Sequence, residues 1–239
     1  MTRHAPVEFD AYAEGYDAGM DQGLKALAGE NADAFIAVKV RWLLRRWPDL
    51  RTNPALSILD YGCGAGTLSR LLRAAGVSAQ LTGTDVSAGM LREAARLWAL
   101  PSPPPRLEVQ NGAATGLPSD SFDLIAISAV LHHVPLDQRA EVYAELQRLL
   151  RPGGRLVVFE HNPWNPVTSF VVARTPIDHD AILLAPPEVT ASLRAGGWRD
   201  VRARHLMFLP PRLGALARMA DRLFGWLPLG GQYAVTASK

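Results

Sequence analysis

The run Ile58-Leu-Asp-Tyr-Gly-Cys-Gly-Ala-Gly66 constrains this chain most. A short apolar stretch, Leu56 to Asp60, enters a cluster of glycines, and Thr67 to Ala75 follows at helical spacing, which reads as strand, tight turn and helix. Glycine turns of this kind serve many nucleotide folds, so the neighbouring residues must decide between them. The glycines stand at 62, 64 and 66, whereas a dinucleotide fingerprint starting at Gly62 needs its third glycine where Thr67 stands. Asp60, just ahead of the turn, repels a pyrophosphate and favours an ammonium or sulfonium group. Asp85 ends the next apolar run, Leu81 to Asp85, and from there a carboxylate can accept from two ribose hydroxyls. Beside Ser87, Asp85 also reads as a local helix cap.

The alternation continues along the chain. Ser87 caps a helix reaching Trp98, Arg106 to Gln110 alternates as a third strand, and Phe122 to Ser128 is apolar enough for a strand buried on both faces. A helix from about Leu136 to Leu150 follows, Pro152-Gly-Gly154 stops it, and Arg155 to Glu160 forms the fifth strand. Strands alternating with helices on this spacing predict a parallel sheet. Further on, Glu188 to Ala195 reads as a helix ended by Gly196 and Gly197, with strands at Val201 to Phe208 and Tyr233 to Ala237. Residues 1–50 read as a helical cap, broken at Gly29 to Asn31, with an apolar face through Phe35, Val38, Trp42, Leu43 and Trp47. The stretches 161–185 and 209–231 are insertions at strand ends, where such folds place substrate pockets. Leu206 to Leu229 reads as an amphipathic helix packed on the sheet, with a membrane surface or a lipophilic substrate as the alternative for its apolar face.

Composition narrows the partners. A chain of 239 residues fits one α/β domain, and its 25 basic and 23 acidic residues form no block of like charge. That balance points to a small-molecule partner and away from nucleic acid. The lone Cys63 excludes an internal disulfide framework and a thiolate-rich metal site; no metal site is expected, and a cytoplasmic location is. No run approaches the roughly 20 apolar residues of a membrane span. Monomer and homodimer both stay open.

Five segments taken together carry a resemblance: Ile58 to Gly66, Gly83-Thr-Asp-Val-Ser87, Leu117-Pro118 with Phe122-Asp-Leu124, Val130-Leu-His-His-Val134, and Leu149-Leu-Arg-Pro-Gly-Gly154. In this order and spacing, over about residues 55–160, they resemble the successive motifs of class I S-adenosylmethionine-dependent methyltransferases, in particular the small-molecule type that includes the quinone-biosynthesis methylases. The resemblance implies a three-layer, Rossmann-like α/β fold whose seven-stranded, mostly parallel sheet has an antiparallel last strand, under a helical N-terminal lid. It gives Asp60, Gly62, Cys63 and Gly64 to the methionine half of the cofactor, Asp85 to the ribose, Val86 to the adenine, and further cofactor contacts to Ser128 and the lid residue Tyr16. Where the family carries an acid for the adenine amino group, this chain has Ala113, between a matching Gly112 and Ala114. Backbone contacts at Ala113 and Ala114 are then expected to serve the adenine, with Asn111 as a substitute side chain.

The implied activity is methyl transfer to a small organic acceptor by in-line displacement. Alignment of donor and acceptor is the main requirement, with a base where the acceptor must lose a proton. Candidates for that base are His132 and His133 after strand four and His161 after strand five. A structural reading competes, in which His133 fixes the helix start and His132 shapes the pocket. Tyr12, Glu160, Asn162, Trp164 and Tyr233 are read as acceptor contacts. A rival function keeps the cofactor for non-methylating work such as cyclisation or decarboxylation; a nicotinamide oxidoreductase is disfavoured by Thr67 and Asp60.

Overall fold

The computed structural model describes residues 9–10, 31–178 and 180–239, so Tyr12 and Tyr16 lie outside the described residues. Seven strands form one sheet: β1 (Ser57–Tyr61), β2 (Gln80–Asp85), β3 (Arg106–Val109), β4 (Phe122–Ser128), β5 (Leu150–His161), β6 (Arg199–Leu206) and β7 (Gln232–Ser238). Their order is β3-β2-β1-β4-β5-β7-β6; β1 to β5 pair in parallel and β7 runs antiparallel to both its neighbours. The order reverses at β1, which lies between β2 and β4. In open α/β sheets a ligand crevice opens at such a point, beyond the carboxyl ends of the strands.

Period-two alternation sends neighbouring strand residues to opposite faces. Leu59, Tyr61, Ile125, Ile127, Leu156 and Val158 form one core with Val142, Leu146 and Leu149 of a helix at Arg139–Leu149 and with Val189 and Leu193 of one at Pro186–Ala195. Ile58, Leu124, Ala126, Val157 and Phe159 form the other core, under Val38, Leu43 and Leu44 of α1 (Ala32–Arg46) and Leu68 and Leu72 of α2 (Thr67–Ala74). Asn31 caps α1 by accepting from the Ala34 backbone N–H at 3.1 Å, which accounts for the helix boundary read at that residue.

Two boundaries differ from the sequence reading. Strand β5 begins at Leu150, ahead of Arg155, because Leu150 already pairs with Phe122 before the register shifts. After β4 the chain makes a short 3₁₀ turn, Leu131–His133, and the next helix starts at Arg139. The amphipathic segment also departs from expectation. Its helix, Ala215–Phe224, turns the small residues Ala217 and Ala220 inward, while the larger Leu223 and the following Trp226 stay 58% and 67% exposed. Ala217 faces Val38 and Trp42 of α1, and the bulky apolar stripe is left uncovered on the other side. Among the described residues no helix is long and apolar enough to cross a membrane.

Candidate active site

The glycine turn grows directly out of β1. Asp60 is buried at the strand end, and its Oδ2 accepts from Ser69 Oγ at 2.9 Å. Gly62 has φ +68°, and a Cβ added there would lie 2.5 Å from Val130 Cγ2. The turn is therefore pressed onto the segment leaving β4, where Ala129, at φ +59°, swings Val130 toward it. Gly62→Ala is expected to cost about 2–5 kcal/mol, combining about 1–2 kcal/mol for the left-handed backbone with about 1–3 kcal/mol for overpacking. Denaturant unfolding measures it, and adding Val130→Ala should recover only the overpacking share. A loss that Val130→Ala leaves unchanged would show that the two segments do not press on each other.

Asp85 faces the same turn from β2. Its Oδ2 accepts from the Gly64 backbone N–H at 2.8 Å and its Oδ1 from that of Ser87 at 2.9 Å, leaving lone pairs free on both oxygens. Burial raises its pKa, and the backbone donors pull the other way. Burial also raises Asp60 to about 6, with the Ser69 bonds opposing and the Asp85 charge adding. Ser87 Oγ caps the following helix, Ala88–Leu97, by accepting from Met90 N–H at 3.0 Å. Asp10 Oδ1 accepts from Ser87 Oγ and from Gly89 N–H, bringing Phe9 edge-on to the His133 ring at 5.2 Å. The cap expected of Asp85 is thus made by Ser87 and Asp10, and Asp85 still reaches the crevice.

A cavity of about 680 Å³ lies beyond these strand ends. Asp60, Gly62, Cys63, Gly64, Asp85, Val86, Ala113 and Ser128 all line it. Ala114 and Asn111 do not; their backbones bond to each other and both residues are exposed. Gln110, which the sequence reading passed over, lines the cavity too. Its Nε2 donates to Gly112 O at 2.9 Å, while its Oε1 is buried with no donor in reach. Burial pushes the Cys63 thiol well up, so no thiolate nucleophile is present here.

Lys39 was also missed by the sequence reading. It sits among apolar residues of α1, fully buried, and its Nζ donates to Ser128 Oγ at 2.9 Å. Burial lowers it to about 8 against the opposing pull of Glu160, Asp60 and Asp178. The available signal was a lone lysine on the buried face of an amphipathic helix.

The three histidines come together, in different roles. His133 and His161 line the cavity; His132 is buried behind them, its ring 4.2 Å from His133 and 5.2 Å from His161. Glu160 holds this turn. One oxygen accepts from the backbone N–H groups of Val130 and Leu131 at 3.1 and 2.8 Å, and the other lies 2.5 Å from His132 Nδ1. Burial opposes a charge on His132, but Glu160 and then Asp178 outweigh it and raise the ring to about 9. Burial and the neighbouring His132 charge lower His161 to about 4. His161 is therefore a neutral hydrogen-bonding ring at ordinary pH and a poor place to store a proton.

Four expected acceptor contacts do not line the cavity. Glu160 is spent on the turn after β4. Asn162 is buried, donating to Pro228 O at 3.0 Å and Gly230 O at 2.8 Å, so it fastens the loop before β7. Trp164 is half exposed and stacks near His205 outside the cavity. Tyr233 is buried in the sheet core and donates to Leu184 O at 2.7 Å. Acceptor-side lining comes instead from Val167, Val171, Val172, Ile177 and Leu209, with Asp178 among them.

A methyltransferase-domain family model matches residues 58–154, the span from β1 into the start of β5. The chain is 32% identical over 178 residues to a demethylmenaquinone methyltransferase of Streptomyces avermitilis, an alignment covering 64% of this chain and 73% of that protein. The chain belongs to the class I S-adenosylmethionine-dependent methyltransferases. It is also 38% identical over 122 residues to an uncharacterized 37.1 kDa protein in a transposon of Streptomyces fradiae; there the match spans 50% of this chain and only 34% of that protein. In fold it matches a SAM dependent methyltransferase from Archaeoglobus fulgidus with a TM-score of 0.64 at 16% identity, covering 90% of this chain and 97% of that one. The family's cofactor is S-adenosylmethionine. The residues here fit it: two buried carboxylates face the cavity where a cationic nucleoside needs them, and the orphaned Gln110 Oε1 offers an acceptor that the adenine amino group requires.

Proposed function

We propose that the chain transfers the methyl group of S-adenosylmethionine to a small, largely apolar organic acceptor in the cytoplasm. The observation that carries this reading is one cavity walled both by the carboxylates of Asp60 and Asp85 and by the apolar side chains of the 161–185 and 209–231 insertions. Asp60 takes the methionine ammonium and Lys39 the methionine carboxylate. Asp85 takes the ribose, Val86 packs on the adenine, and Gln110 Oε1 replaces the acid that Ala113 lacks. The bound cofactor supplies a methyl on a sulfonium, an excellent leaving group, so the protein's task is alignment and exclusion of water. Val167, Val171 and Leu209 exclude water, while His133 and neutral His161 orient the acceptor's polar atom. The similarity to a demethylmenaquinone methyltransferase supports an apolar acceptor, and the single, partly buried Cys63 suits a reducing compartment.

Calorimetric titration with S-adenosylhomocysteine tests the cofactor half. Affinity is expected to be flat between about pH 6 and pH 8. Below 6, Asp60 gains a proton and loses its attraction for the ammonium; above 8, Lys39 loses its proton and its hold on the carboxylate. Each limb falls by at most about tenfold per pH unit. No binding at pH 7 would overturn the reading. Transfer of labelled methyl to members of a panel of apolar phenols and quinols is the expected companion result.

A further inference from the structure

At the edge of the acceptor cavity, two imidazoles and one carboxylate converge on one point. Asp178 Oδ1 lies 3.4 Å from His132 Nε2 and 3.3 Å from His133 Nε2, and one ligand atom from each of the three residues falls within 4.8 Å of the others. These separations exceed the roughly 2.7–3.2 Å of an N–H···O bond. His132 Nε2 is fully buried, and its only polar neighbour is the long approach to Asp178, which does not make a well-formed hydrogen bond. Zinc bonds of about 2.0–2.1 Å to imidazole nitrogen and carboxylate oxygen place adjacent ligand atoms of a tetrahedron about 3.3–3.4 Å apart. Both Asp178 edges have that length.

Glu160 completes the arrangement. Its 2.5 Å contact with His132 Nδ1 keeps one ring proton on that side, so an ion would bind at Nε2 by displacing the second proton, which the ring otherwise turns toward Asp178. A carboxylate behind a ligating imidazole is the usual outer partner of a metal-bound histidine. The three ligand atoms come from separate structural pieces, the 3₁₀ turn after β4 and the 3₁₀ turn Pro176–Asp178, so a bound ion would tie the insertion to the sheet.

The geometry points to a divalent transition-metal site of the zinc type, ligated by His132 Nε2, His133 Nε2 and an Asp178 oxygen. Its fourth position is open to the cavity, because His133 and Asp178 both line it. An ion there could take an oxygen of the acceptor and stabilise its deprotonated form as a Lewis acid. That consequence rests on the methyl-transfer reading; the metal site itself does not.

Full-length protein, stripped with a chelator and then titrated with Co²⁺, tests the site through the visible absorption of four-coordinate cobalt, with Zn²⁺ added in competition. One equivalent is expected to bind. Asp178→Asn and His133→Gln should each lower affinity at least about tenfold, and Glu160→Gln by about 10- to 100-fold. S-adenosylhomocysteine titration of the same samples reports whether each variant is folded and whether the cofactor reading holds, separately from the metal. Binding of less than one equivalent overturns the proposal, as does stoichiometric binding that neither Asp178→Asn nor His133→Gln weakens. In the first case the cluster is held by a proton on His132; in the second the ion sits elsewhere.

Discussion

Replacing Glu160 with alanine is expected to lower the unfolding free energy by about 3–5 kcal/mol, the range for removing one partner from a buried charged pair. The side chain is buried and accepts from three groups: the Val130 and Leu131 backbone N–H groups and His132. Alanine leaves the buried Leu131 N–H unpaired, at about 1–3 kcal/mol, and the half-buried Val130 N–H at less, and it strands His132 beside Asp178. For a chain of this size the melting temperature should fall by about 6–20 °C. Glu160→Gln keeps an oxygen for the backbone donors and should lose far less. Thermal and denaturant unfolding of the pair decide the matter. An alanine variant within about 1 kcal/mol of the parent would mean that the turn after β4 is held by something else.

Asp85→Ala is the second large effect, on affinity. Two charge-assisted bonds to a ribose are worth about 1.5–3 kcal/mol each at most, and a net loss of that order weakens S-adenosylhomocysteine binding by roughly 10- to 150-fold. Part of the loss comes through the protein, because Gly64 N–H donates to Asp85 Oδ2 at 2.8 Å and the glycine turn loosens without it. Gln110→Leu, which leaves the turn intact, supplies the comparison for an adenine contact. Calorimetry reads both, and unchanged affinity in Asp85→Ala would move the ribose contact to another residue.

The legible parts of this protein are local. The strand, turn and helix from Leu56 to Ala75, the next unit ending at Asp85, and the apolar β4 are written in short-range periodicity and glycine placement. Asp60 and Asp85 follow because a strand end fixes where its last side chains go. What was not legible depends on distant segments meeting. Lys39 looks like an interruption of an apolar helix face until Ser128 is brought against it. Asp178 belongs to an irregular insertion with no period to read, and its meeting with His132 and His133 is a tertiary event. Polar residues after a buried strand usually face a pocket, which is why Glu160 and Asn162 read as acceptor contacts; here backbone groups of neighbouring loops need partners and claim them first. The amphipathic helix near the C-terminus was read correctly as amphipathic, but periodicity does not say which face meets protein.

The wall opposite the carboxylates is drawn almost wholly from outside residues 58–154: from α1, from the insertion after β5 and from the loop between β6 and β7. On the proposed assignments the donor is held mainly by 58–154, with Lys39 of α1 as the exception, and the acceptor mainly by the stretches after β5, with His133 as the exception. On these assignments, a chimera that keeps everything up to residue 160 and takes the later stretches from a relative should shift acceptor preference and leave affinity for S-adenosylhomocysteine where it was, because Lys39, Asp60, Asp85 and Gln110 all stay in place.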